Sequence, residues 1–344
     1  MAKTFFLTQS TALSLVIVIC LIFLSFGIYY SKNYRGLKNY LTANRNIGFL
    51  SLTTSLTASA LGAWILFGPA SAATWGGLGA IIGYSLGTAF PMFFFIYLGK
   101  KIRKEFPQGS TLIEFLRKKF GKSLFKLILL MTIFYMFIFL CAEVTAVAVL
   151  INYISGTELW LTALIVLLCT LTYTLYGGLK ASILTDNIQM FVIGFLLLIS
   201  LIYILSFTGT KFSFDFVKEK NSHLLSGSYL PGYTSGLTFF IAVAATNLFH
   251  QGNWQRIYAA KDYKTLKKSL ILSFLIIVPV VFFMGFTGLV AFSLNSSIRP
   301  DLGFFYLLLN EQAIFLSIVV IILGLALTIS TVDTLINAIS SLII

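Results

Sequence analysis

Charge is scarce in this sequence. Asp, Glu, Lys and Arg together make up 10% of its 344 residues, where soluble globular chains carry roughly a quarter. Hydrophobic residues make up 58% and the mean hydropathy is +0.95. A water-soluble fold is therefore excluded, and a domain count from length, which presumes water as solvent, does not apply. Cysteine is scarce too. Cys20, Cys141 and Cys169 all lie in apolar runs, without the spacing of a zinc module or a disulfide framework. No paired carboxylates, metal-ligand cluster or nucleophile–base pair fall at one membrane depth, which argues against an enzyme. Acidic residues number 11 against 24 basic ones, a net charge of +13. In a soluble protein that excess would suggest nucleic acid as a partner.

What is abundant is apolar sequence of spanning length. A span needs about twenty mostly apolar residues, and nine segments qualify: Gln9–Tyr30, Gly48–Phe67, Leu78–Leu98, Leu127–Ile151, Leu161–Leu175, Asp186–Phe207, Ser235–Gln251, Leu270–Leu294 and Ala313–Ile343. The first reads as a retained span and not a signal peptide, because its apolar stretch is long, no small-x-small site precedes Tyr29–Lys32, and further spans follow. With these spans, Lys3, Lys211, Lys218, Lys220 and Arg299 fall on one side and every other Lys and Arg on the other. The positive-inside rule then predicts an external N-terminus, with the loops after the first, third, fifth and seventh spans in the cytoplasm. The basic balance is a topology signal: the lipid bilayer is the expected partner, and nucleic acid is not.

Ionisable residues inside such spans are costly and mark partners or pathways. Asp333 is the sharpest case. Ser330, Asp333 and Thr334 share a helix face, with Thr331 on its flank. Hydroxyl and carbonyl oxygens with one or two carboxylates suit a hard monovalent cation, whereas a softer metal would want Cys or His. The competing reading is a small-residue packing seam. Asp186 opens the sixth span, where it could equally cap a helix. His250, beside Trp254 and Arg256, reads as a membrane-edge anchor. Glu143 reads either as an exposed vestibule carboxylate or as part of a solute path. The second span is rich in small and hydroxyl residues from Thr53 to Trp64 and ends in Gly68-Pro69. That texture suits either a helix that opens its backbone at membrane depth, as secondary transporters use for ions and substrates, or a close-packed helix.

Three stretches together resemble the sodium/solute symporter family, whose members carry sugars, proline, pantothenate, iodide, monocarboxylates and urea. They are Ser330-Thr331-Val332-Asp333-Thr334; Tyr176-Gly177-Gly178-Leu179-Lys180-Ala181 with Thr185-Asp186-Asn187-Ile188-Gln189; and Trp254-Gln255-Arg256-Ile257-Tyr258-Ala259-Ala260-Lys261-Asp262. The resemblance implies an all-α polytopic membrane protein of leucine-transporter type. In it, residues 9–30 form an extra N-terminal helix, 48–207 a first five-helix repeat and 235–344 a partial second, inverted repeat. The chain ends at Ile344, two core helices short, which suggests a fragment or a truncated gene.

The resemblance also implies a first sodium site made by the carbonyls of Ala58, Leu61 and Leu327 with the hydroxyls of Ser330 and Thr331. Asp186, Asp333 and Thr334 would form a second, in which a proton could replace the ion. Trp64, Glu143 and Asn247 are expected to face the solute. The loop around His250–Ala260 and the Trp75–Phe115 region resemble the urea-carrying branch. Gly62-Ala63-Trp64 resembles the proline-carrying branch, though that branch's carboxylate is Ala60 here. The expected solute is therefore a small polar organic molecule: urea-like, amino acid, sugar or monocarboxylate. The expected function is sodium-coupled symport into the cell by alternating access, with Na+ as coupling ion, in the plasma membrane (a bacterial inner membrane). The alternative is a symporter-like sensory input domain of a larger signalling protein.

Overall fold

A computed structural model describes residues 5–32, 36–309 and 313–343. Lys3 and Arg35, both used in the topology reading, lie outside the described residues, as does Ile344. In hydrocarbon every backbone N–H and C=O must be satisfied within the chain, which leaves helices as the economical solution for sequence this apolar. The order is α1 (Gln9–Ser31), α2 (Leu37–Thr42), α3 (Phe49–Ala60), α4 (Gly68–Ala89), α5 (Pro91–Glu105), α6 (Leu112–Phe120), α7 (Lys122–Ser155), α8 (Leu159–Thr208), α9 (Phe214–Leu225), α10 (Leu230–Phe249), α11 (Gln251–Ala259), α12 (Tyr263–Leu294), α13 (Gly303–Leu308) and α14 (Ala313–Ile343). Among the described residues there is no strand, only an isolated bridge between Ile47 and Ala260.

Seven helices among the described residues are long and apolar enough to cross a membrane, Gly68–Glu105 and Leu159–Lys211 each counting once. The difference from the nine expected spans is one of breaks. The fifth and sixth spans are one run, α8, turned at Gly178, where φ is +59° and ψ −157°. The expected second span does not end at Phe67. After an interruption at Leu61–Gly62 and a 3-10 turn at Ala63–Leu66, the helix resumes at Gly68 and runs to a turn at Gly77 (φ +58°). The expected seventh span, Ser235–Gln251, lies in α10 as far as Phe249; the helix breaks at His250 and α11 follows where a loop was expected.

Gly178 can be tested directly. Its backbone conformation is open almost only to glycine, and an added Cβ would press on the ring of Tyr40. Gly178→Ala is expected to cost about 1–3 kcal/mol, read as a fall of several degrees in Tm. Gly194→Ala, on the exposed part of the same helix with nothing within 4 Å of the new methyl, serves as the control. Equal Tm values for the two variants would refute the strained turn.

The core gathers around α14, which packs on α7 and α8 and touches α1, α3 and α11. From Leu325 to Leu335 no residue of α14 is exposed. On the other flank α4 lies along α10 and α12. Of the two interrupted helices, α3 and α11 touch α14 and each other, whereas α4 and α10 belong to the second group.

Candidate solute and ion site

A helix leaves its last four carbonyls without backbone donors. In α3 the Leu61 N–H returns to the Thr57 carbonyl, so the carbonyls from Ala58 to Leu61 lie at the break with no continuing turn to meet them. Leu61 itself is turned out of helical geometry (φ −102°, ψ 82°) and fully buried. Across the break stands α14. Its Ser330 hydroxyl lies 3.3 Å from the Ala58 carbonyl and 2.9 Å from that of Leu327, and the Thr331 hydroxyl lies 3.1 Å from the same Leu327 oxygen. Ala58, Leu327, Ser330 and Thr331 are all buried. Sequence reasoning placed these residues in one set, and the fold brings them into one place. The donor set is neutral hydroxyls and carbonyls, the chemistry a hard alkali cation prefers.

The second expected set divides differently. Asp186 does not cap a helix: it lies eight residues beyond the Gly178 turn, buried, in the body of α8. Its Oδ2 accepts from the Ser55 hydroxyl at 2.5 Å and from Arg256 Nη2 at 2.8 Å. The same Nη2 reaches the Thr334 hydroxyl at 2.7 Å. Arg256 Nε donates to Ser55 at 2.7 Å, and Nη1 to the Gly252 carbonyl at 3.2 Å. One guanidinium thus ties α3, α8, α11 and α14 together through Asp186 Oδ2, while Oδ1 has no hydrogen-bond partner. Asp333 accepts from the Tyr173 hydroxyl at 2.7 Å, Ser182 at 2.9 Å and Thr185 at 3.3 Å, all from α8, and its Oδ1 lies 3.4 Å from the same Thr334 hydroxyl that meets Arg256. Arg256, Ser55, Tyr173 and Ser182 were missed in the sequence reading. Arg256 looked like one more basic residue in a loop.

His250 is no membrane-edge anchor. It is 2% exposed, at the break between α10 and α11, with its ring edge-on to Tyr135 and Phe139. The carbonyls orphaned there are met by the chain that follows: Asn253 Nδ2 donates to the Asn247 carbonyl at 3.2 Å and Trp254 Nε1 to that of Leu248 at 2.8 Å. Glu143 is no vestibule carboxylate either. It is fully buried on α7, and its Oε2 accepts the Ala63 N–H at 2.8 Å, so it pins the chain just past the α3 break. Gly62 is required beside it, because a Cβ there would fall on the Glu143 carboxyl group.

Next to the ion-type donors lies a cavity of about 300 Å³, bounded by α3, α4, α7 and α10 and lined in part by Ser59, Trp64, Tyr84, Thr88, Tyr135 and Asn247. Of the residues expected to face the solute, Trp64 and Asn247 line it. Glu143 stands behind the wall.

Interrupted helices beside a cavity are an arrangement that secondary transporters use, and the comparisons with known proteins bear on it. The sequence profile described as Sodium:solute symporter family matches residues 40–344. The chain belongs to the sodium:solute symporter family. It is 27% identical to the spermidine transporter of Candida albicans over 93% of its own length and 61% of that protein's. It is 30% identical to the sodium/proline symporter of Haemophilus influenzae over 70% of this chain and 49% of that one. With the sodium/glucose cotransporter of Vibrio parahaemolyticus it shares 25% identity over 80% of this chain and 54% of that one. The chain therefore spans about half to three-fifths of the length of these relatives. Family and relatives are transporters, not enzymes. A solved structure of a substrate-bound, outward-open Na+-coupled sialic acid symporter superimposes with a TM-score of 0.80 at 16% identity, over 96% of this chain and 72% of that one. The fold is the family's leucine-transporter type, and the chain is a multi-pass membrane protein.

Proposed function

We propose that this symporter-family chain carries out sodium-coupled uptake of a small polar organic solute by alternating access, with Ala58, Leu61, Leu327, Ser330 and Thr331 as the sodium ligands. The observation that carries the reading is the meeting of the Ser330 hydroxyl with the Ala58 carbonyl at the α3 break. An ion held there bridges an interrupted helix and an intact one, so its binding free energy bears on their relative arrangement. The adjoining cavity, with Trp64 and Asn247 on its wall, is the solute site. By linkage, sodium and solute raise each other's affinity by the same factor. Across the membrane the electrical part of the driving force is about 2.3 kcal/mol per charge per 100 mV. The family's relatives are named for spermidine, proline and glucose, which supports a small polar solute as the class. Residues 48–207 are one five-helix repeat and 235–344 part of the second, inverted one, with the Lys- and Arg-rich end in the cytoplasm.

The test is thermal unfolding of the purified chain in NaCl against KCl at equal ionic strength. A specific ligand at a hundred times its dissociation constant stabilises by about 2.7 kcal/mol, so Tm is expected to rise with sodium and to saturate. Sodium-gradient-driven uptake into vesicles then reports transport. Identical unfolding curves in the two salts would overturn the sodium site.

A further inference from the structure

Under the alternating-access reading, on which this inference rests, α3 and α11 are the cytoplasmic halves of the two interrupted helices. The loops expected on that side after the first, third and seventh spans meet at their ends. Ile47, in the lead-in to α3, pairs with the end of α11. Its N–H donates to the Ala259 carbonyl at 3.0 Å, and its carbonyl accepts from the Lys261 N–H at 3.1 Å. Two arginines close the joint. Arg45 donates through Nη1 to the Pro107 carbonyl and through Nη2 to that of Gly109 at 2.8 Å, in the turn between α5 and α6. Its guanidinium also lies over the Tyr258 ring of α11, 5.5 Å from the ring centre, within the range of a cation–π contact. Arg103, in the last turn of α5, donates to the Ile257 carbonyl at 3.2 Å and to that of Ala260 at 2.8 Å. Carbonyls at a helix end lack helical donors, and the helix dipole favours a cation beside them.

The backbone that delivers Arg45 is strained. Among the described residues, positive φ outside glycine occurs only at Ala43, Asn44 and Arg45, at +47°, +53° and +55°. The three are consecutive. Asn tolerates this left-handed region, whereas Ala and Arg bring Cβ against the following carbonyl. Such a conformation persists only where the surroundings hold it. Here the hold is the grip of Arg45 on the α5–α6 turn, with the Ile47 pairing two residues later. Every acceptor of the two arginines is a backbone carbonyl, and neither side chain makes an ion pair among the described residues. Opening the joint therefore strands no carboxylate, and water can replace each acceptor. The other end of α3 is the interruption at Leu61–Gly62. A rod of 12 residues is thus held by the arginines at one end and joined through a break at the other.

We propose that Arg45 and Arg103 form a clasp that holds α3 to α11 and keeps the cytoplasmic side of the bundle closed, and that the left-handed tract Ala43–Arg45 is loaded to open it. Both are positioning residues, and neither lines the cavity. Transport by alternating access requires a cytoplasmic closure that holds while ion and solute enter from outside and yields afterwards. Charge-assisted hydrogen bonds favour the closed arrangement, and relief of the backbone strain favours the open one.

Hydrogen–deuterium exchange of the purified chain in lipid nanodiscs, in NaCl and again in KCl, reads such local opening. Arg45→Ala and Arg103→Ala are each expected to speed exchange of the α3 and α11 amides by about tenfold or more in both salts, with α1 and α10 unchanged. Lys104→Ala, at the exposed neighbour of Arg103, is the control and is expected to change nothing. Ala43→Gly relieves the strain and leaves the arginines in place. It is expected to act in the opposite direction and slow the same amides severalfold. Unchanged α3 and α11 exchange in both arginine variants would overturn the proposal. So would acceleration spread evenly over all helices, the mark of a merely structural tie, or Ala43→Gly exchanging as fast as the parent chain or faster. Arginine variants that open α3 in both salts, with a parent chain that sodium does not protect, would leave the clasp standing and count against the sodium site. A parent chain that sodium protects, with arginine variants that behave like it, would do the reverse.

Discussion

Arg256→Ala is expected to be among the most damaging single substitutions in this chain, by about 3–5 kcal/mol, the cost of leaving one member of a buried ion pair alone. The reason is geometric as well as electrostatic. Arg256 and Asp186 are both wholly buried, 2.8 Å apart, and the guanidinium also satisfies Ser55 on α3, Thr334 on α14 and the Gly252 carbonyl on its own helix. Its removal strands a carboxylate whose other oxygen, Oδ1, already lacks a partner. Arg256→Lys is expected to rescue little, because one ammonium cannot reproduce the planar fork that serves Nε, Nη1 and Nη2 contacts at once. The pair Asp186→Asn with Arg256→Gln removes both charges and should recover part of the loss, since the penalty arises from an uncompensated charge. Thermal unfolding of the single and double variants in detergent gives the coupling as a double-mutant cycle. An Arg256→Ala protein as stable as one altered at the exposed Lys267 would show that the network contributes nothing.

The same residue marks where the sequence stopped being readable. Hydropathy reports exposure to lipid, so helices with a lipid-facing side, such as α1, α7 and α12, stand out as apolar runs, and the chain's membrane class and span order follow from them. Segment α11 faces protein on all sides. Gln251, Asn253, Gln255 and Arg256 are buried there yet read as a polar loop, because their partners lie on helices far away in sequence. The start of the sixth span was placed at Asp186 for a related reason: Lys180, Ser182 and Thr185 depress the hydropathy of a stretch that is in fact helix from Leu179 onward. Glu143 was undecidable from sequence because its partner, the Ala63 N–H, exists as a free donor only where the α3–α4 helix is interrupted. The Ser330–Thr331 pair was legible because it sits on one regular helix and matched a family pattern. Its approach to Ala58 depends on long-range packing that no local pattern encodes.

Replacing that hydroxyl pair is expected to abolish sodium dependence while leaving the fold largely intact. Both side chains donate to the Leu327 carbonyl within their own helix, and Ser330 also meets Ala58. Helical Ser and Thr of this kind are easily replaced by Ala, so the stability cost in the absence of sodium should stay small, about 1 kcal/mol each. The cost to a bound ion is different. Each hydroxyl withdrawn from a charged partner is worth about 1.5–3 kcal/mol, so Ser330→Ala and Thr331→Ala should each raise the sodium concentration for half-maximal stabilisation by about tenfold or more, and the double variant by at least a hundredfold. Solute binding offers a second readout. Reciprocal linkage requires that a variant which no longer senses sodium also loses the sodium-induced gain in solute affinity, while its affinity in KCl is retained. A double variant that titrates with sodium like the parent chain would move the ion away from the α3 break, and with it the proposed means by which the ion acts on the two helices.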